Sequence, residues 1–398
     1  MSGRVFLVAA ESSGDALGAD LARALKARDP SLELAGVGGP LMTAADVPSR
    51  ADISGMAILG FIDGLLAYER VKRAVTDAVK AVLAAKPDVV VLIDSWGFTL
   101  RVARGVRAAD PGIKLVKYIG PQVWATRAGR AKTLAASVDH LICIHDFEVP
   151  FYEPYGLPCT VCGHPAFGRF KRGDEAAFRT RHNIAANERL LLVLPGSRPA
   201  EIRRIGPTLW EAAALLHANR SNLRFAMVAA QSVHDAAVAQ APAGTLIVEE
   251  AEKEDAFAAA TVALAASGTV TTEVALQGAP LVIGYKLGWL TALIAQYILF
   301  KAKYATLMNV AADAEVAPEF LQRNMTPENL ARAASPLLDD PSVRSKQIER
   351  QNLALDRMGR GGRAASEIAA DVVLKILAEK SQPGSIRVSG ARPGTQGS

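Results

Sequence analysis

Residues 5–19 read VFLVAAESSGDALGA, an apolar run that breaks into Glu11, Ser12, Ser13, Gly14 and Asp15 before apolar spacing resumes. Residues 5–10 show no alternation of apolar and polar side chains, the pattern of a strand covered on both faces, as in a parallel sheet. Leu17, Leu21 and Leu25 then recur along one helical face. The stretch reads as strand, polar loop, helix. In open α/β sheets ligands bind beyond the carboxyl ends of the strands, which makes Glu11, Ser12, Ser13 and Asp15 site candidates. A helix cap at Ser13 or Asp15 explains the loop equally well.

The alternation continues outward from this unit. Further strands are expected at 32–37, 89–93, 115–119 and 140–144, with helices at 15–27 and 68–85, the latter carrying Val71, Val75, Val79 and Val82 on one stripe. The passage GHPAFGRFKRGDEAAF, rich in Gly, Pro and charge, reads as a linker. A second series of strands follows at 190–194, 223–229, 245–248, 262–265 and 280–284. The fold class is therefore α/β, two Rossmann-like domains with a cleft between them. The first is expected over 1–165, with helices at about 343–378 returning to it, and the second over 172–342. The tail 381–398, rich in Gly, Ser and Pro, reads as disordered.

Composition agrees. A chain of 398 residues, 50% hydrophobic, accommodates two domains with substantial cores. The formal charge of +5 suits an acidic partner. Without a long basic run or an aromatic-plus-basic motif, phosphate groups or an anionic membrane surface fit better than nucleic acid. Cys159 and Cys162 form a C-x-x-C without a second ligand pair, so with Cys143 they read as core thiols of a reducing cytoplasm rather than a zinc site. The N-terminus carries no cleavable signal pattern, and a cytoplasmic location is expected. Residues 287–300, between Lys286 and Lys301, are uncharged and include Trp289 and Tyr297. They fall short of the roughly 20 residues that span a bilayer and suit a buried helix or one lying on the inner face of the cytoplasmic membrane.

Several strand ends carry candidate chemistry. After 190–194 comes PGSRPAEIRR, a turn expected to present backbone N–H groups and the Ser197 hydroxyl at a helix start, with Arg198 as a bidentate phosphate donor. It is neither a P-loop nor G-x-G-x-x-G. Ser267, Gly268 and Thr269 open a second helix, and Glu273, one turn in, is placed to reach a ribose diol. A capping hydroxyl with a dipole-favoured Glu is the plainer reading there. Asp94 ends the buried strand VVVLI and is a general-base candidate, or a residue that orients loop amides. Trp124, Arg127, Arg130 and Lys132 form a platform for a phosphorylated sugar, or a solvated basic face. His164 sits in the linker as a ligand-facing imidazole or a hydrogen-bonded residue. Neither a metal nor a cofactor is expected.

Taken in order, AAESSGDALGA, GVGGPLM, VWATRAGR, GHP, LPGSRPAEI, ASGTVTTEVAL and YATLMNVAADAEVAPEFLQ resemble the lipid-A-disaccharide synthase family from about residue 5 to residue 340. The resemblance implies a glycosyltransferase-B fold and an inverting transfer. In that reaction UDP-2,3-diacylglucosamine and 2,3-diacylglucosamine 1-phosphate give the β-1,6 disaccharide 1-phosphate and UDP. It implies a UDP-sugar site of Ser197, Arg198, Ser267, Gly268, Thr269, Glu273 and Asn309. The acceptor would lie against the first domain, at Ser13, Trp124, Arg127 and Arg130, with Asp94, Glu11 and Asp15 as the catalytic carboxylates. A second copy of the chain, in a homodimer, completes the expected partners. The family's Ile-Asp-x-Pro-Asp-Phe is here Ile93-Asp94-Ser95-Trp96-Gly97-Phe98, its Met-Gly-Ile-x-Glu is Met56-Ala57-Ile58-Leu59-Gly60, and its Trp-Ala-Trp is Trp124-Ala125-Thr126. These departures fall in the acceptor half. A UDP-sugar epimerase, a transferase with another acceptor, and a non-catalytic nucleotide-sugar binder that lost the carboxylates at Gly97 and Gly60 are the rival readings.

Overall fold

The computed structural model describes residues 3–52, 64–124, 128–230, 233–286 and 303–381. Apolar runs without alternation became strands with helices on both sides. In the first sheet β1 (Arg4–Val8), β2 (Glu33–Val37), β3 (Val89–Ile93), β4 (Lys114–Tyr118), β5 (His140–Cys143) and β6 (Cys159–Val161) lie in the order β2-β1-β3-β4-β5-β6, every pair parallel. Successive residues of a strand point to opposite faces. Val5 and Leu7 accordingly meet Leu17, Leu21 and Leu25 of α1 (Ser12–Arg28) on one side. Phe6 and Val8 share a core with Ala78 and Val82 of α3 (Gly64–Ala85) and Val102 and Val106 of α4 (Trp96–Ala109) on the other. A short helix, α2 (Pro40–Thr43), follows β2. Along α3 the deepest positions are Ala74, Ala78 and Val82, with Val71, Val75 and Val79 half-buried beside them.

The second sheet repeats the plan. Its strands β7 (Arg189–Leu194), β8 (Leu223–Val228), β9 (Leu246–Val248), β10 (Val262–Ala266), β11 (Leu281–Tyr285) and β12 (Glu319–Leu321) run parallel in the order β12-β11-β10-β7-β8-β9. The sequence did not announce β6 or β12. Each has three residues at a sheet edge, too few to show a period.

The C-terminal return is shorter than expected. Helix Pro341–Arg357 stays with the second sheet, where the Gln347 and Gln351 side-chain amides donate to the carbonyls of Leu281 (2.7 Å) and Ala279 (2.9 Å). Helix Ala365–Ser381 alone packs on the first sheet, placing Ala369, Val373 and Leu377 in the core with Leu21 and Leu25. The chain thus crosses between the halves near 163–173 and again near 358–364. Gly163 and Gly359 have φ of 78° and 96°, and a Cβ on Gly359 would lie 3.5 Å from the Gly163 Cα, so both positions require glycine where the crossings touch. The first crossing is tied to each half. Arg169 Nε bonds Asp20 Oδ2 of α1 at 2.6 Å, while Gly173 N donates to Gln277 Oε1 (3.0 Å) and Gln277 Nε2 to the Lys171 carbonyl (2.6 Å).

The apolar segment 287–300, the Met56 to Gly60 departure, Arg127 and the tail beyond 381 lie outside the described residues. Among the described residues no helix is long and apolar enough to cross a membrane. Cys143, Cys159 and Cys162 are free thiols, and among the described residues no group of three His, Cys, Asp or Glu side chains is placed to hold a metal ion.

Because Val373 is fully buried between the return helix and the first sheet, Val373→Ala is expected to cost about 2 kcal/mol, two buried carbon groups at about 0.8 each plus the cavity left behind. Urea unfolding of the full chain measures it, and an unchanged midpoint would mean the return helix carries no stability.

Candidate active site

Each sheet has one place where consecutive connections turn in opposite directions. In the first it lies between β1 and β3, paired through Val8 and Leu92; in the second between β7 and β10, paired through Leu194 and Ala265. Such switch points open a crevice beyond the strand ends. The Glu11–Asp15 and Asp94 loops flank the first, and the Pro195–Arg198 and Ser267–Thr269 loops flank the second.

At the first switch point Ser13 Oγ donates to Asp94 Oδ2 at 3.1 Å, joining two loops far apart in sequence. Among the described residues Asp94 Oδ1 accepts no hydrogen bond. Asp94 and Ser95 have φ of 47° and 39°, left-handed backbone that costs of order 1–3 kcal/mol per residue outside glycine and persists only where the surroundings enforce it. The enforcement lies underneath. The Asp94 carbonyl accepts from Thr99 Oγ1 (2.8 Å) and from Lys117 Nζ, and Thr99 Oγ1 also bonds the Ser95 carbonyl (3.0 Å). Asp94 N donates to the Tyr118 carbonyl at 2.9 Å, extending the ladder to β4.

The other loop carboxylates do different work. Asp15 is buried and accepts from the backbone N–H of Gly39 (2.8 Å), Leu41 (2.9 Å) and Met42 (3.0 Å), so it anchors the start of α2 instead of capping its own helix. Both of its oxygens are thereby engaged by the amides of the α2 entry, a scaffold role that was not expected for it. Glu11 precedes α1, exposed, and caps nothing with its side chain.

Around Trp124 and Arg130 the structure gathers several aromatic side chains. Arg130 lies over the Trp96 ring at 5.5 Å, a cation–π contact beside Asp94. Trp124 meets Phe147 edge-on at 5.6 Å, Phe147 stacks on His145 at 4.8 Å, and His145 faces His164 at 6.2 Å. His145 Nε2 is buried and has no hydrogen-bond partner among the described residues. His164 Nδ1 accepts from Ala166 N at 3.3 Å, the hydrogen-bonded alternative of its two readings. Burial, with help from His164, pulls the His145 imidazole down to about 3, and burial alone pulls His164 down to about 4. Nearby Glu148 is pushed up to about 7 by burial, against two backbone amides, of Ile144 and His145, that favour its anion.

In the second half the Pro195–Arg198 turn is not an open set of amides. Glu201 Oε2 accepts from Ser197 N (3.0 Å) and Arg198 N (3.3 Å), and its Oε1 from Arg198 Nη1 (3.1 Å). The physical reason is a capping box, in which the third helical residue folds back on the cap. Gly196, at φ 117°, makes room, since a Cβ there would lie 2.5 Å from Glu201 Oε2. The Arg198 side chain remains largely exposed. At the other loop, helix Thr269–Leu276 starts at Gly268 with no side-chain cap, and Gly268 and Thr269 are exposed. That leaves the helix N-terminus as the better anion position of the two. Glu273 Oε2 pairs with Lys253 Nζ at 3.3 Å. Asn309, expected at the nucleotide, is fully buried: it donates to the Ala317 carbonyl (2.9 Å) and accepts from Val316 N (2.8 Å) and Ala317 N (3.0 Å), so its side chain is engaged in holding that loop.

Two doubly wound parallel sheets, with polar loops gathered at both switch points, are the glycosyltransferase-B fold, which by itself fixes no reaction. A family model described as lipid-A-disaccharide synthetase matches residues 5–373, and the chain belongs to that family of glycosyltransferases. The lipid-A-disaccharide synthase of Rhodospirillum centenum is 38% identical over 385 residues, covering 94% of this chain and 95% of its own. That of Paramagnetospirillum magneticum is 37% identical over 379 residues, covering 94% and 97%. Among solved structures, the UDP-GlcNAc 2-epimerase from Neisseria meningitidis bound to UDP-GlcNAc superposes with a TM-score of 0.65 at 12% identity, over 94% of this chain and 100% of that one. The spinosyn forosaminyltransferase SpnP gives 0.58 at 14% identity, covering 95% and 100%. At such identities the likeness is one of fold.

His164 is buried as the neutral ring, with a folded pKa of about 4 against 6.5 unfolded. Below 6.5 the unfolded chain binds the proton and the folded chain does not, so stability is lost as pH falls from 6.5 towards 4. His164→Asn, which keeps an acceptor for Ala166 N, is expected to remove about 2 kcal/mol of that loss by pH 4.5. Urea midpoints of both proteins at pH 7 and 4.5 give the comparison, and parallel pH dependence would show that His164 titrates normally.

Proposed function

We propose that the chain transfers 2,3-diacylglucosamine from its UDP derivative to the 6-hydroxyl of 2,3-diacylglucosamine 1-phosphate, with inversion, and that Asp94 is the base. The observation that carries this reading is the Ser13–Asp94 hydrogen bond at the first switch point, which orients one carboxylate oxygen and leaves the other for a substrate. With Gly97 where the family has its second Asp and Asp15 committed to amides, Asp94 is the carboxylate that ends its strand. Asp94 takes the proton of the 6-hydroxyl as that oxygen bonds the anomeric carbon, while the bond from that carbon to the UDP oxygen breaks on the opposite face. The leaving diphosphate is stabilised by Arg198 and by the N-terminus of helix Thr269–Leu276, with the hydroxyls of Ser197, Ser267 and Thr269 beside them. Glu273 binds the ribose diol, exchanging its Lys253 partner for hydroxyls. Trp124 and Arg130 line the acceptor side. The acyl chains reach the enzyme from the inner face of the cytoplasmic membrane, where the uncharged 287–300 segment and its flanking Lys286, Lys301 and Lys303 suit peripheral contact.

Asp94→Asn is expected to lower turnover about 10²- to 10⁴-fold, the usual worth of a general base, with UDP affinity near normal. Mass-spectrometric detection of the disaccharide 1-phosphate gives the rate, and retained turnover combined with collapse in Glu11→Gln would move the base to the opening loop. A wild-type protein that binds UDP and never forms product would instead be a nucleotide-sugar binder. Arg198→Ala is expected to weaken UDP binding about 10- to 100-fold, as loss of a hydrogen bond to a charged group of about 1.5–3 kcal/mol requires. Titration calorimetry with UDP decides it, and unchanged affinity removes Arg198 from the site.

A further inference from the structure

The sequence KLVKYIG places Lys117 fourth in β4, a strand covered on both faces. Its side chain is 2% exposed and lies on the face shared with α4. A lysine buried in an apolar strand has to find acceptors or lose its charge. Lys117 Nζ donates to the Asp94 carbonyl and, at 2.9 Å, to Thr99 Oγ1. The one hydroxyl hydrogen of Thr99 is in turn shared between the carbonyls of Asp94 (2.8 Å) and Ser95 (3.0 Å). The amine and the hydroxyl therefore hold both carbonyls of the left-handed Asp94–Ser95 pair from beneath. In an extended continuation of β3 the Asp94 carbonyl would not be drawn inward, and its carboxylate would leave the strand in another direction.

We propose that Lys117 is a positioning residue for the transfer: through the Asp94 carbonyl and Thr99 it fixes the left-handed turn that points the Asp94 carboxylate at the Ser13 hydroxyl and the acceptor. The inference rests on the reading of Asp94 as base. It requires hydrogen-bond donation and not charge. Burial pulls the Lys117 amine down to about 7, opposed by the Asp94 carboxylate, and a neutral amine still has two hydrogens for two acceptors.

The test is steady-state kinetics of the full chain with UDP-2,3-diacylglucosamine and 2,3-diacylglucosamine 1-phosphate. Lys117→Met keeps the buried volume and removes the donor. It is expected to lower kcat about ten- to hundredfold, the scale of a misplaced catalytic group, with KM for the UDP-sugar unchanged within about twofold. Thr99→Val is expected to do the same to a smaller degree, and Thr99→Ser, which keeps the hydroxyl, to restore kcat. In an Asp94→Asn background Lys117→Met is expected to change the residual rate by no more than about twofold, because the two residues act as one unit. A folded Lys117→Met protein with wild-type kcat overturns the proposal, as does a kcat loss of equal size with and without Asp94. If Lys117→Met does not fold, Thr99→Val and Thr99→Ser decide: equal, undiminished kcat in both overturns it. Failure of the base reading is separate and visible, since Asp94→Asn would then turn over at the wild-type rate.

Discussion

Every strand in both sheets runs parallel to its neighbours, and the rest of the molecule follows from that constraint. A parallel strand cannot return by a hairpin, so each connection must cross a face of the sheet, and helices cover both faces. The strands are then apolar throughout, as in VVVLI of β3, and polar side chains are driven to the loops at the strand ends. Only one crevice per sheet, where the direction of winding reverses, leaves those loops unobstructed. That both of these crevices are where Asp94 with Ser13, and Arg198 with Thr269, are found is a consequence of winding order, before any side-chain chemistry is considered.

Holding such loops in shape consumes polar groups. Asp15 satisfies three amides of the α2 entry, Asn309 bridges Val316 and Ala317, and Glu201 closes on the amides of Ser197 and Arg198. A carboxylate or amide spent this way is fixed and shielded, and has little left for a ligand. Less of this is asked of Asp94, whose Oδ1 accepts no hydrogen bond among the described residues, of the largely exposed Arg198 guanidinium, which gives Glu201 one contact, and of the exposed Gly268–Thr269 helix start. Two populations of polar residue thus lie within a few positions of each other, one rigid because it is satisfied and the other available because it is supported.

That distinction is what sequence alone conveyed least. The strands were legible as apolar runs, and the two-sheet architecture followed from counting them, because burial on both faces leaves a continuous signature. Three-residue β6 and β12 left none. Asp15 and Asn309 sit at motif positions and have the chemistry of ligand contacts, and only the three amides around Asp15, and the two amides and one carbonyl around Asn309, mark them as scaffold. Helix Pro341–Arg357 reads as polar and free to return, yet Gln347 and Gln351 anchor it to Ala279 and Leu281 by bonds no periodicity reveals. One signal was present and overlooked: a lysine in the middle of KLVKY has no apolar justification, and its position in a buried strand points to a polar neighbour inside the core.

The first half, which holds the acceptor on the proposed reading, departs from the family at Gly97, and the physical consequence falls on the backbone at Asp94. Gly97 is exposed, and a Cβ there would meet only Arg101 Nη1 at 3.5 Å, so the loop geometry does not itself exclude a carboxylate at that position. What the geometry does fix is the turn before it, where two consecutive non-glycine residues are left-handed. A turn of this kind relaxes unless its carbonyls are held, and a relaxed Asp94 would lose its contact with Ser13. Where two carboxylates share a task, the misplacement of one is partly absorbed by the other. Where one remains, on the reading of Asp94 as base, its aim depends on whatever holds its own main chain, and here that support is a buried amine and a threonine hydroxyl reaching up from the core.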